Sequence, residues 1–309
     1  LVGSAKGSFY TKGKTEYPLP SDPAGSGTYQ DYINSKNLNL VFSGENDKAT
    51  TDGVIGRFSL AWTPADDQMY YATWSQGFRP GLLNRPGGQC NDAGYCVPFA
   101  LDTDTVDNYE LGWKVDLLDG RMRFNGSVFY IEIEDLQTSI FDPSISNLFF
   151  SANAANAEVK GIEGELTWAP ENVEGLTLSG GISLLDTEIT DVLIPTDDVV
   201  EGDDLAFAPE FKGNLQARYQ WDLSDGMQAH VMGNAAYSDT SYTDIITINR
   251  LELDSWFLLG ATAGVSTEEW TAEVYADNLT DESAELSGGF GYDVERITVA
   301  RPLTIGVRF

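Results

Sequence analysis

The sequence predicts an all-β, antiparallel transmembrane β-barrel, of which about 12 strands lie in this chain. Period-two alternation of apolar and polar residues recurs along the chain, while helical periodicity is nearly absent. The alternating segments run to about 10 residues, longer than the 5 or 6 usual in soluble sandwiches. Their connections alternate between tight turns and long loops, the layout of a barrel with turns on the periplasmic side and loops outside.

In chain order, the expected strands begin with 1–11, 54–63 and 68–78, the last two joined by a turn at 64–67. Next comes 107–118, where Tyr109, Leu111, Trp113, Val115 and Leu117 oppose Glu110, Gly112, Lys114 and Asp116. Asp119-Gly120 turns the chain into 121–133, and 157–168 follows with Ile162, Gly164, Leu166 and Trp168 against Glu163, Glu165 and Thr167. A turn at 170–175 leads to 176–187. The clearest alternation is in 210–222: Phe211, Gly213, Leu215, Ala217, Tyr219 and Trp221 take one face, and Lys212, Asn214, Gln216, Arg218, Gln220 and Asp222 the other. Then come 227–238, 253–265, 270–278 and 301–309. The long connections are 12–53, 79–106, 134–156, 188–209, 239–252 and 279–300. Trp62, Tyr70, Trp113, Trp168, Tyr219, Trp221, Trp256 and Trp270 fall near strand ends, where amphipathic rings sit at lipid headgroups.

Composition excludes several functions. Of 309 residues, 18 are Lys or Arg and 48 are Asp or Glu, a formal charge of −30 that opposes any grip on nucleic-acid phosphates. Two cysteines and one histidine are too few for a zinc site of Cys and His alone. No apolar run is long enough for a membrane-spanning helix. The chain starts at Leu1 without signal-peptide features in 1–12, so a removed segment or a longer parent protein is expected. A soluble β-sandwich binding module and a standalone 12-stranded passive channel are the rival readings.

The last strand places Leu303, Ile305, Val307 and Phe309 on one face and stops on an aromatic, which resembles the signal that hands outer-membrane barrels to their assembly machinery. Further motifs carry a specific likeness. Tyr70-Tyr-Ala-Thr-Trp-Ser-Gln-Gly-Phe-Arg-Pro-Gly81, followed by Asn84-Arg85, resembles the "Y-A-S-x-S-x-G-F-R-P-G-x-N" strand of TonB-dependent outer-membrane receptors. Asn108-Tyr-Glu-Leu-Gly-Trp-Lys114 is similar to their "E-x-G-x-K" strand. The stretch 129–136 with Gly161-Ile-Glu-Gly-Glu165 is similar to their "F-Y…D-L-Q…G-x-E" pair, and Asp277-Asn-Leu-Thr-Asp281 with Arg301-Pro to Phe309 to their closing motif.

The resemblance covers about 54–309. It implies a bacterial outer-membrane protein whose complete barrel has about 22 strands filled by an N-terminal plug domain. Residues 1–309 then form the C-terminal part of the barrel, with the plug, the remaining strands and the TonB-contacting segment outside the sequence. The implied function is TonB-energised uptake of a small-molecule nutrient of the ferric siderophore, haem, cobalamin or glycan class. No enzymatic activity and no cofactor are implied; the partners are outer-membrane lipid, TonB and the nutrient.

Arg79, Asn84 and Arg85 stand where a strand enters a long loop and are candidates for binding an anionic ligand, although the same motif also reads as a strand-to-loop structural device. Loop 188–209 carries Glu188, Asp191, Glu201 and the metal candidates Asp197, Asp198, Asp203 and Asp204, without EF-hand spacing, and also reads as a solvated surface. In an exported loop Cys90 and Cys96 are expected to form a disulfide. His230 lies on the polar face of its strand, with no motif supplying a nucleophile. Lys114, Asp116, Glu163, Glu165, Lys212, Arg218 and Glu273 are expected to line the lumen.

Overall fold

The structure, a computed structural model, describes residues 2–10, 48–84, 88, 90–92, 94–141, 143, 145–146, 149–291 and 294–309. The main strands are β1 (Val2–Tyr10), β2 (Lys48–Ala65), β3 (Gln68–Arg79), β4 (Asp104–Leu117), β5 (Met122–Ile140), β6 (Phe150–Trp168), β7 (Leu176–Val192), β8 (Phe211–Asp222) and β9 (Gln228–Ser238). They continue past the short β10 (Ser241–Tyr242) and β11 (Glu252–Leu253) with β12 (Trp256–Ser266) and β13 (Thr271–Asp277), and past the hairpin β14 (Glu285–Gly291) and β15 (Val294–Val299) with β16 (Thr304–Arg308).

Twelve of these form one sheet in the order β1-β2-β3-β4-β5-β6-β7-β8-β9-β12-β13-β16, each pair antiparallel. The sheet is an up-and-down meander in which every strand bonds to its sequence neighbours, and β1 and β16 are not paired with each other. The expected tally of strands is thus observed, but several are longer than expected. β5 and β6 run on to Ile140 and back from Phe150, through what the sequence reads as one loop over 134–156. Register shifts between Ile133 and Leu136, and between Asn156 and Ala157, swap the inward and outward positions there, with Asp135 at φ 58°. A bulge of this kind breaks period-two alternation without ending the ladder, which is why the pattern stops at 133 while the strand does not. The loop 279–300 likewise contains the unforeseen hairpin β14–β15.

The sheet separates two chemistries. Phe58, Leu60, Trp62, Leu111, Val128, Ile162, Ile182, Leu215, Val274, Ile305 and Val307 share one face and are exposed, Leu60, Leu111 and Leu215 by 62%, 63% and 58%. Glu110, Lys114, Asn125, Glu163, Glu165, Lys212 and Arg218 occupy the opposite face. Aromatic pairs bound the apolar face at two heights. Trp62–Tyr70, Trp113–Phe124, Tyr219–Trp221 and Trp270–Phe309 lie toward the tight turns, and Tyr109–Tyr130 and Phe211–Tyr237 toward the long loops. Trp256 is an exception to the expected girdle: register with Ser238 and Lys212 puts it on the polar face.

Glycines and aromatics interlock across strands. Tyr71 lies over Gly112, Trp113 over Gly126, Phe129 over Gly161 and Tyr275 over Gly306, each so close that an added Cβ would stand 2.2–2.5 Å from the ring. A bare backbone beside a large ring lets the ring lie flat on the sheet, which fills the pleat and holds register.

Leu215→Arg should impair membrane insertion by about 2–4 kcal/mol relative to the same change at the neighbouring Gln216, because only the former puts a charge on the apolar face. Heat-modifiable gel mobility after assembly into membranes measures both; equal tolerance would contradict the assigned faces.

Candidate functional site: a loop roof above a charged wall

The loop between β3 and β4 is a folded-back hairpin. Leu101 N donates to Leu82 O (2.8 Å), Asn84 N to Phe99 O (2.9 Å) and Gly88 N to Val97 O (2.8 Å), and the disulfide Cys90–Cys96 closes the tip. Its base is clamped by Arg79, whose Nε and Nη2 lie 2.8 and 2.5 Å from Asp104 Oδ2 while Nη2 also donates to Gln137 O at 2.7 Å. Asp104 is buried, so a fork-shaped cation with matched donors is the partner its charge requires. Gly81 completes the motif: a Cβ there would fall 1.8 Å from Leu101 O.

Three amides then tie the hairpin sideways onto β5 and β6. Asn84 Nδ2 donates to Pro98 O and Ser151 O (2.8 and 2.7 Å) and its Oδ1 accepts from Ser151 N (2.7 Å). Gln137 Nε2 donates to Arg79 O, Pro80 O and Asp102 O (3.2, 3.2 and 3.1 Å). Asn153 Nδ2 donates to Asp102 O and Asp135 O (2.9 and 2.7 Å) and its Oδ1 accepts from Asp102 N (2.9 Å). Of the three residues singled out in the sequence, Arg79 and Asn84 therefore meet in this clamp, and Arg85 lies outside the described residues. Gln137, the Gln of the D-L-Q motif, was not singled out as a site residue in the sequence, and Asn153 carried no sequence signal.

The long loops share one hydrophobic core. Val97, Ile140, Ile145, Phe150, Ile189, Ile194, Val199, Ile245 and Ile246 are buried together, with Ala152, Ala154 and Ala155 beneath. The second and fourth long loops are thereby joined to the third and fifth in a roof. Thr247 N donates to Asp198 O (2.8 Å), Phe207 N to Tyr242 O (2.7 Å), and Arg250 Nη1 meets Asp203 Oδ2 at 2.7 Å while its guanidinium covers the Tyr242 ring. Among the metal candidates, Asp203 is thus engaged by a cation and Asp204 accepts from Thr187 Oγ1 (3.4 Å). No group of three or more His, Cys, Asp or Glu placed to hold a metal occurs among the described residues. The isoleucines within stretches otherwise read as polar loops, Ile245-Ile246 above all, were the available signal for this core.

On the polar face, Tyr71, Lys114, Asn125, Glu163, Glu165, Lys212, Asn214 and Trp256 line a basin of about 500 Å³. Tyr71 donates to Glu110 Oε1 (2.5 Å) and Ser183 to Glu163 Oε1 (3.4 Å), whereas the buried Oδ1 of Asn125 has no partner. Nearer the tight turns His230 is buried, its Nε2 3.0 Å from Glu273 Oε1, and Arg308 Nε is 3.3 Å from Glu273 Oε2. His230 and Glu273 meet across the intervening β12 because Gly264 has no Cβ to separate them. No helix among the described residues is long and apolar enough to cross a membrane.

The profile described as "TonB dependent receptor-like, beta-barrel" matches residues 15–279. The chain belongs to the TonB-dependent receptor β-barrel family. The family's outer-membrane location assigns the apolar face to lipid and the polar face to the lumen. The family consists of receptors and transporters rather than enzymes.

The chain is similar to the metal-pseudopaline receptor CntO of Pseudomonas aeruginosa, 25% identical over 194 residues, 62% of this chain and 25% of the relative. It is 26% identical to the ferric-pyoverdine 358 receptor of Pseudomonas putida over 151 residues, 47% of this chain and 16% of the relative. The alignments thus span a quarter or less of these curated relatives. Among solved structures, the ferric yersiniabactin uptake receptor FyuA of Yersinia pestis superposes with a TM-score of 0.66 at 20% identity, covering 84% of this chain and 37% of that one. BauA, the ferric preacinetobactin receptor of Acinetobacter baumannii, gives 0.61 at 21%, covering 84% and 36%. These last two establish likeness of fold.

Replacing Asp104 by Asn should loosen the hairpin base by about 1–2 kcal/mol, since it removes the charge that holds the half-exposed Arg79 fork. Faster amide hydrogen exchange over 82–101 with unchanged exchange in β8 and β9 is the expected result.

Asp244, in the roof, has its carboxyl pushed up from the ordinary value chiefly by burial, against the pull of the Ile246 and Ile245 amides. A carboxyl whose folded pKa is raised costs stability above that pKa, and the cost disappears as pH falls through it. Roof amides at 194–199 and 245–247, corrected for intrinsic rates, should therefore exchange more slowly on mild acidification from pH 7, and Asp244→Asn should slow them at pH 7 and abolish the pH dependence.

Proposed function

We propose that this chain is the C-terminal part of the barrel of a TonB-energised receptor that imports a metal-loaded siderophore across the bacterial outer membrane. The observation that carries the reading is the combination of a family barrel wall with long loops packed into one core at one end of the sheet, which this reading places over the extracellular mouth. A roofed mouth suits a receptor that captures a ligand and then needs energy to pass it on; an open passive channel has no use for one. The siderophore class is supported by the curated relatives, described as receptors for metal-pseudopaline and ferric pyoverdine.

In this reading the plug domain and the remaining strands come from parts of the receptor beyond the given sequence, and the luminal basin faces the plug. The clamped hairpin forms one wall of the ligand chamber, with Arg79 and Asn84 holding its shape; Arg85, outside the described residues, is a candidate for binding an anionic chelate on its residue type alone. TonB acts through the plug.

Uptake of radioactive ferric chelates by cells expressing the intact receptor, with and without TonB, tests this. Accumulation that requires both receptor and TonB is expected. Receptor-dependent accumulation that persists without TonB would establish the passive-channel reading instead.

A further inference from the structure

The hairpin β14–β15 has one covered strand and one bare one. Glu285 Oε2 accepts from Asp254 N (3.1 Å), and a Cβ added at Gly288 would stand 3.3 Å from Thr243 Cγ2, so β14 lies against the β10–β11 ribbon. All six residues of β15 are exposed, Val294, Ile297 and Val299 by 58%, 40% and 50%. Antiparallel pairing turns every second N–H and C=O of β15 toward β14 and the alternate ones away from it. Those alternate groups have no strand beside them among the described residues. An edge rich in β-branched residues (Val294, Ile297, Thr298, Val299), free of proline, with Glu295 and Arg296 of opposite sign, is a template for a further strand rather than a guarded edge.

β15 hands the chain directly to β16. Ala300 N donates to Ala284 O (2.8 Å) at the hairpin base, Asn278 Nδ2 to Arg301 O (2.8 Å) and Leu303 N to Asp281 Oδ1 (2.8 Å), which pins the link onto the end of β13. The columns correspond: β14 separates β15 from β11 as β13 separates β16 from β12, so the bare edges of β15 and β16 look the same way. In lipid the edge of β16 requires a partner strand. We propose that this partner, the receptor's first barrel strand, continues past the lipid and adds antiparallel to the bare edge of β15, so that the closing seam runs on into the loops and stitches the last loop to the first. Direction selects this occupant: the chain runs the same way through β15 and β16, and a strand antiparallel to β16 reaches β15 already antiparallel. A second copy of the chain has no such guide. The inference rests on reading the chain as the C-terminal part of a closed barrel.

Two measurements on the intact receptor test this. In hydrogen exchange followed by mass spectrometry, every amide of β15 should exchange at least about a hundredfold slower than its intrinsic rate, as those of a strand bonded on both sides do. A bare edge leaves about half of them exchanging near that rate. The second measurement places the photoreactive residue p-benzoylphenylalanine at Ile297, and in a separate variant at Thr298 on the opposite face, with heat-modifiable mobility confirming that each is folded. Illumination should join at least one of them, within the same chain, to the segment that follows the first barrel strand. Three outcomes would overturn the proposal: about half of the β15 amides exchanging fast, crosslinks that join two copies of the receptor, or crosslinks confined to lipid or to loop 239–252. Neither measurement involves uptake, so a passive channel with the same closed wall would give the same result, and the siderophore reading stands or falls separately.

Discussion

The structure depends on one constraint: in hydrocarbon a peptide group has no water to bond, so every N–H and C=O of a spanning segment must find a partner in a neighbouring strand. Between its two outer edges the antiparallel ladder from β1 to β16 meets it with strands joined in sequence order, so that each tight turn delivers its strand directly to the edge of the last. The turn at Leu118, Asp119 and Gly120 shows the local requirement, with φ of 56°, 55° and 78° reversing the chain between β4 and β5. Continuous pairing leaves the side chains free to divide by face, apolar to lipid and polar to the lumen.

Above the membrane the same strands serve a different purpose. Once β5, β6 and β7 leave the lipid they need not be apolar outside, and they become a scaffold on which loops are laid. The hairpin 80–103 is held there by backbone-seeking amides of Asn84, Gln137 and Asn153 and by the Arg79–Asp104 pair, while the isoleucines of the other loops exclude water above them. Amides suit this task because each offers both donors and an acceptor and so can bridge a loop backbone to a strand backbone. The result is a loop surface whose shape is set by its own contacts.

Electrostatics follow the geometry. The chain carries a charge of −30, and among the described residues three cations are used at joints: Arg79 at the hairpin base, Arg250 between two roof loops and Arg308 beside Glu273. Replacing such an arginine by lysine would keep the charge but lose the fork, and at Arg79 that fork spans a carboxylate and a carbonyl at once.

Strand identity, facing and the turn-and-loop rhythm were legible in the sequence, because lipid on one side and water on the other impose a period of two that no single residue can hide. The motifs around Arg79 and the closing strand pointed to the family for the same reason: they are local. The sequence could not show where β5 and β6 end, since the bulges near Asp135 and Asn156 shift the pattern while the ladder continues. Nor could it show that Gln137 and Asn153 hold a loop more than 30 residues away, or that Ile189, Val199 and Ile246 share a core. Those contacts arise from strand register and from loops folding sideways across it, and register is a relation between segments distant in sequence. The residues decided which face meets lipid; only the tertiary arrangement decided how the long loops pack on one another.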